Sequence, residues 1–443
     1  MMLLHVARTA NGANVSAASL FCVLVLLFIA CWTQSSARQA QQPMLGMIGT
    51  GTSTLRPRHQ WLLLCALLFT LLLSSILPCG VYATAHDRPV ASWLTEPRDT
   101  TETSLWDTIP LAGADTASNT SWYALPLMYY TPETSVGGGF SAGYFFGSDP
   151  ARISSVKSDL SATLNGEYEV SFDSELYLND GRYRLWAQVN AAQTPTSFFG
   201  VGPNSNTRES YTRQMVDVKM RGARRLTQAL HVGLRMRVRR TTITSVDDGG
   251  LLDQNAVPGA RGSSVVGIGP ILFVDTRSRT YYPRRGHYVS LYALTHPYVH
   301  NAQGTFTRFG ADMRRFLPMG TDQVLALQAY AEAVTDMPPF ALLPKLGGSA
   351  RMRGYQNARF RDRVTVSAQA EWRAPIWWRI DGAVFASVGT IAPRIAELGH
   401  SGLKPAGGIG MRYKLNDSGV RLRADFAVSP DGTGLYLTGS PPF

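Results

Sequence analysis

Beyond residue 119 the chain alternates apolar and polar residues in segments of about ten, and no sustained 3.6-residue period interrupts them. A period of two belongs to a strand whose two faces meet different surroundings. In Leu230 to Arg239 one face is Leu230, Val232, Leu234, Met236 and Val238, and the other is His231, Gly233, Arg235, Arg237 and Arg239. In Val420 to Val428 the residues Val420, Leu422, Ala424, Phe426 and Val428 oppose Arg421, Arg423 and Asp425. Val364, Val366, Ala368, Ala370 and Trp372 oppose Thr365, Ser367, Gln369, Glu371 and Arg373, while Ile409, Met411, Tyr413 and Leu415 oppose Gly410, Arg412 and Lys414.

The first 85 residues are of another kind. They contain no Asp or Glu, carry Arg8, Arg38, Arg56 and Arg58, and hold apolar runs at Ala17 to Trp32 and Trp61 to Leu77. Both runs fall short of the ~20 residues that span a bilayer. The second reads as a secretory signal: two arginines ahead of a Leu-rich centre, then Ala83-Thr84-Ala85 as a small-x-small cleavage site. Two readings of the first run are open: a translated upstream stretch with the true start at Met44 or Met47, or a second anchor. All four cysteines lie in this leader, so a chain cut after Ala85 keeps none, which excludes a disulfide scaffold and a cysteine-ligated metal.

An antiparallel sandwich with one wet face would also alternate. An exported, cysteine-free chain with charges facing away from an apolar band fits a transmembrane barrel better, because in lipid only a closed sheet satisfies every backbone group of such strands. Sixteen segments qualify, from 120–130 to 433–443. Long links fall after odd-numbered segments, at 195–210, 241–262, 336–362 and 392–401, as expected if those loops are external and both termini periplasmic. The expected organisation is a leader at 1–85, a short periplasmic segment at 86–119 read as a tether, and an all-β, sixteen-stranded antiparallel outer-membrane barrel at 120–443.

Charged residues make up 16% of the chain, well below the roughly 25% of average domains, which argues against disorder and coiled coil. The net charge of +11 is an arginine excess, since only five of 42 basic residues are Lys. A pI near 9.6 would suit nucleic acid, but the arginines are spread along strands and no basic cluster sits on a helical pattern, so no nucleic-acid partner is expected.

Two stretches are more specific than alternation. One is Gly267-Ile-Gly-Pro-Ile-Leu-Phe-Val-Asp275-Thr276-Arg277, followed by Tyr282-Pro283-Arg284-Arg285-Gly286. The other runs from Leu346-Gly347-Gly348-Ser349 through Arg353-Gly354-Tyr355 and Arg359-Phe360-Arg361-Asp362 to Glu371-Trp372-Arg373-Ala374-Pro375-Ile376. With Phe198-Phe199-Gly200-Val201-Gly202, Gly408-Ile409-Gly410-Met411-Arg412 and the terminal-strand residue Phe443, they resemble the bacterial surface antigen family, whose superfamily holds outer-membrane assembly factors and two-partner-secretion transporters. The resemblance covers about 120 to 443.

It implies a loop whose Arg353-Gly354-Tyr355 tip folds into the lumen and pairs with Glu371, a residue the alternation independently places on the polar face. Physically, a loop of this length needs an anchor, and an arginine–carboxylate pair supplies direction as well as energy. Three departures stand out. The family's Phe-x-Asp-x-Gly acid is replaced by Ser387 in Phe385-Ala386-Ser387-Val388-Gly389, which leaves Glu371 to carry most of the pairing with Asp425 in reserve. The Asp-Thr-Arg-Asp pattern ends in Ser278, and Pro441-Pro442 removes two ladder donors. POTRA domains, which precede such barrels, do not fit in 86–119.

Arg235, Arg237, Arg239, Arg373, Arg412, Arg421 and Arg423 read as a charged lumen wall, either a plain solvated face or an anion-handling one. Gly139-Phe140-Ser141-Ala142-Gly143 matches a nucleophile elbow but lacks the following helix, and His296 and His300 on a strand would lie ~13 Å apart, too far to share a metal. No enzyme, cofactor or metal site is expected. The function implied is insertion or translocation of protein or lipid, with outer-membrane lipid and a separate POTRA-bearing or assembly-complex protein as partners. A passive anion-preferring channel and a structural or surface-interaction barrel are the alternatives.

Amino-terminal sequencing of protein purified from outer membranes should read from His86; a start upstream of Trp61 would overturn the leader assignment.

Overall fold

The computed structural model describes residues 112–115, 120–131, 135–149, 151–205, 207–301, 304–415 and 419–439. The leader, the site before His86 and the terminal Pro441, Pro442 and Phe443 lie outside the described residues. Sixteen long strands follow one another: β2 (Thr120–Thr131), β3 (Ser135–Phe146), β4 (Ser154–Thr163), β5 (Tyr168–Leu178), β6 (Tyr183–Phe198), β7 (Glu209–Arg225), β8 (Leu230–Val246), β9 (Gly262–Asp275), β10 (Gly286–His300), β11 (Phe306–Met319), β12 (Gln323–Val334), β15 (Val364–Trp377), β16 (Ile380–Ala392), β17 (Lys404–Lys414), β18 (Arg421–Ser429) and β19 (Gly432–Gly439). Among the described residues three short strands accompany them: β1 (Ala112–Asp115), and β13 (Lys345–Leu346) with β14 (Phe360–Arg361) inside the loop after β12.

Each long strand pairs antiparallel with the next, so the sheet is an up-and-down meander. Tyr123 of β2 shares a buried cluster with Val420, and its hydroxyl lies 3.9 Å from where a side chain on Gly439 of β19 would begin. Each of the sixteen expected segments coincides with one long strand, with ends shifted by a few residues.

The two faces separate as a membrane barrel requires. Leu234, Ile409, Phe426, Leu435 and Leu437 point outward and are strongly exposed, as lipid-facing residues are before lipid is added. Glu371, Arg412 and Asp425 point inward and are almost completely covered. The interior is therefore the polar side, and what fills it decides the site.

Within the segment 86–119, β1 pairs with β2 in register from Ala112↔Tyr123 to Asp115↔Thr120. Two expectations need correction. Val420 and Leu415 do not face lipid: they flank the turn between β17 and β18 and pack against Tyr123, Phe145, Ile153 and Tyr281. Long links do follow β6, β8, β12 and β16, but one even-side link, 276–285 between β9 and β10, is also long. It folds back under the lumen, where Tyr281 meets Phe145 edge-on with ring centroids 5.5 Å apart and its hydroxyl lies 2.6 Å from Ser155 Oγ.

Leu234→Arg should impair assembly far more than Arg235→Leu. The former puts a cation into lipid at ~2 to 4 kcal/mol near the midplane, whereas Arg235 lies against the Tyr292 ring, 4.1 Å from its centroid, on the inner face. Heat-modifiable migration on gels reports the folded fraction, and equal loss in the two variants would reverse the face assignment.

Candidate functional site in the barrel lumen

The link from 335 to 363 enters the lumen instead of arching away from it. Its base is held by the β13–β14 ladder, Lys345 opposite Arg361 and Leu346 opposite Phe360. Apolar residues of the loop then find a core of their own: Leu346, Met352, Tyr355 and Phe360 bury against Ile391 and Ala406 of the wall. The Tyr355 hydroxyl donates to the Pro405 carbonyl at 2.9 Å.

The tip depends on Gly354. Its φ is +106°, and a Cβ there would stand 2.9 Å from the Val428 carbonyl oxygen, so any side chain would push the tip off β18. With glycine in place, the Gly354 amide donates to the Tyr436 hydroxyl at 3.0 Å, and Ser429 Oγ donates to the Gly354 carbonyl at 3.0 Å. Tip contacts thereby reach both of the last two strands.

Arg353 is 1% exposed and donates from one nitrogen to Glu371 at 2.9 Å and Asp425 at 2.8 Å. Arg412 joins the same two carboxylates, at 2.5 Å to Asp425 and 3.0 Å to Glu371. Arg373 pairs with Glu371 at 2.8 Å, and Arg423 with Asp425 at 3.0 Å. Four guanidinium groups thus share two carboxylates, and ring faces take part of the load: Arg353 lies 3.4 Å from the centroid of Phe385, and Arg373 lies 4.8 Å from that of Tyr282. Gly410 makes room for the cluster, since a Cβ there would sit 2.1 Å from Asp425 Oδ1.

The structure brings Arg353, Gly354, Tyr355 and Glu371 together, with Arg373, Arg412 and Arg423 around them. The division of labour differs from the expectation that Glu371 would dominate. Asp425 is an equal partner, because Ser387, where the family's acid would stand, only reaches the Ala406 carbonyl at 3.4 Å. Arg421 stands apart, 3.2 Å from Asp381 and 3.8 Å from the Tyr282 centroid. Arg235, Arg237 and Arg239 are on a different wall, and Arg237 grips Asp217 through two bonds of 2.9 and 2.7 Å.

Sequence reasoning missed a second network in which Arg184 joins Glu175 at 2.5 Å and Asp275 at 2.8 Å, and Arg277 joins Asp275 at 2.8 Å. Asp275 and Arg277 belong to a motif already noticed, but nothing in their spacing pointed to Arg184, 91 residues earlier. In the same motif Ser278 Oγ accepts the Arg284 amide at 3.1 Å, so this serine performs the turn-capping that an aspartate would. Ser141, the elbow serine, donates to Asp159 at 2.5 Å within the sheet.

Breaking a buried ion pair on one side costs about 3 to 5 kcal/mol, and less where water reaches it. Glu371→Gln or Asp425→Asn leaves four cations on one carboxylate, whereas Arg353→Ala relieves the excess. Either acid variant should therefore lower the folded fraction as well as loosen the loop, while Arg353→Ala should loosen the loop with little loss of folding. Proteolysis of 337–362 in native membranes, beside heat-modifiability, checks both; unchanged cleavage in Arg353→Ala would mean that the contact does not hold the loop.

The Omp85 superfamily domain matches residues 151–434. Solved structures similar to the chain include BamA from Haemophilus ducreyi lacking POTRA domains 1–3, at 13% identity and TM-score 0.47, covering 73% of this chain and 70% of that one. CdiB from Acinetobacter baumannii gives 13% identity and TM-score 0.46 over 72% of this chain and 59% of that one, and CdiB from Escherichia coli 12% and 0.48 over 72% and 62%. No curated protein matches the sequence. Barrels of this superfamily are non-enzymatic transporters and assembly factors, and a domain match over most of the chain makes this protein an outer-membrane β-barrel that belongs to the Omp85 superfamily.

Proposed function

We propose that the barrel acts in the insertion or translocation of protein or lipid at the outer membrane, with the loop 337–362 as a seated plug. The observation that carries this reading is the sharing of Arg353 between Glu371 on β15 and Asp425 on β18. A passive pore needs an open lumen and gains nothing from a loop clasped to two strands at once. A loop that also holds Tyr436 of β19 connects the plug to the end of the sheet, where strands could part. In this reading Arg353, Gly354, Tyr355 and Glu371 seat the loop, Phe443 marks the terminal strand for the barrel's own assembly, and a separate POTRA-bearing or assembly-complex protein delivers the substrate to a site bounded by outer-membrane lipid.

Depletion of the protein in its native cell should lower the folded amount of other outer-membrane proteins, or the surface display of a lipid, and crosslinking from membranes should recover a POTRA-bearing partner. An unchanged envelope after depletion, together with steady anion-selective conductance of purified protein in planar bilayers, would establish the passive channel in its place.

A further inference from the structure

The wall formed by β7 and β8 carries like charges directly opposite one another. In the antiparallel register Lys219 faces Arg237 and Arg221 faces Arg235, while Asp217, opposite Arg239, is the acid among them. Like charges at opposed positions destabilise a sheet unless something lies between them. Asp217 is the carboxylate at hand, and Arg237 already engages both its oxygens; Lys219 and Arg239 stand off at 3.7 and 3.9 Å. The loop lies against β7, where Phe340 meets Tyr211 edge-on at 5.6 Å, and brings two more cations: Arg361, 5.4 Å from the Phe340 centroid, and Lys345, which opposes it in the β13–β14 ladder.

Their remaining contacts are neutral. Lys345 donates to Asn357 Oδ1 at 3.0 Å, and Arg239 Nε donates to Thr241 Oγ1 at 3.1 Å. Arg361 is 5% exposed, donates weakly to the Phe340 carbonyl at 3.4 Å, and has a buried Nε with no hydrogen-bond partner among the described residues. Arg213 Nε is buried and unpartnered in the same sense. Lys345 keeps contact with solvent, so the cluster opens onto water. Its depth within the lumen, and then the charges of Arg239, Arg213, Arg361 and Lys219, push the Lys345 ammonium down to about 7. Folding the loop into the lumen thus concentrates positive charge that the protein does not neutralise.

We propose that Arg213, Lys219, Arg239, Lys345 and Arg361 form a binding site for a phosphate group, which fastens the base of the loop to the β7–β8 wall. The site goes beyond the insertion or translocation reading and does not depend on it. A tetrahedral dianion suits the geometry: it offers several acceptor oxygens to planar guanidinium groups arriving from two directions and brings more than one negative charge. Free phosphate and a lipid headgroup that carries a phosphomonoester share this chemistry.

The test uses full-length protein in detergent micelles, with Lys345→Gln as the informative variant, because an exposed loop side chain can lose its charge without harming the fold. Arg394→Gln, an exposed cation elsewhere, is the control. In phosphate-free buffer the loop of Lys345→Gln should resist protease better than that of the parent, since repulsion is relieved. Added inorganic phosphate should protect the parent loop, with an affinity about tenfold higher than for the variant. Calorimetry gives the affinities, and chloride at equal ionic strength should not substitute. Phosphorus assay and mass spectrometry of organic extracts distinguish the sources: co-purified lipid in the parent but not in Lys345→Gln identifies a headgroup, and phosphate binding without lipid identifies the free ion. Equal phosphate binding by parent and Lys345→Gln, or equal protection by chloride, overturns the site, as does an acidic peptide that binds where phosphate does not.

Discussion

Everything inside this barrel is arranged around the imbalance between guanidinium groups and the carboxylates available to them. Four arginines meet Glu371 and Asp425 in a region almost free of solvent. Charges are tolerated there only while each keeps partners, and the partners come from β15, β17, β18 and the loop. The cluster therefore couples elements that are far apart in the chain. Removing either acid leaves the arginines with charge they cannot shed.

The strands were legible because lipid and lumen impose opposite demands on neighbouring residues, and Leu230 to Arg239 or Val364 to Arg373 record that contrast at every step. The turn between β5 and β6 is legible for a local reason, since Asn179, Asp180 and Gly181 all take positive φ and their types tolerate it. Edge strand β1 was not, because Ala112–Asp115 attaches by backbone pairing and carries no two-faced pattern. Nor was the depth of the link 276–285, whose Tyr281 and Tyr282 settle under the lumen through contacts with residues more than a hundred positions away.

The loop falls between these cases. Resemblance to the surface antigen family pointed to Arg353 and Glu371, and alternation placed Asp425 on the correct face. Neither could say that Asp425 would share the tip equally, because the pair is separated by 72 residues and the decision is made by which wall the tip lies against. The same holds for Lys345 and Arg361, whose positions opposite β7 and β8 follow from the path of the loop and leave no periodic trace.

The link 276–285 gives the lumen a floor as well as a ceiling. Tyr282 supports Arg373 from below, Arg373 holds Glu371, and Glu371 holds Arg353 of the loop that enters from the other end. The plug and the floor meet through one column of three contacts. The loop tip is thereby tied to the opposite end of the lumen by side chains alone: the arrangement is less a tube with a lid than a lock whose bolt touches both doors.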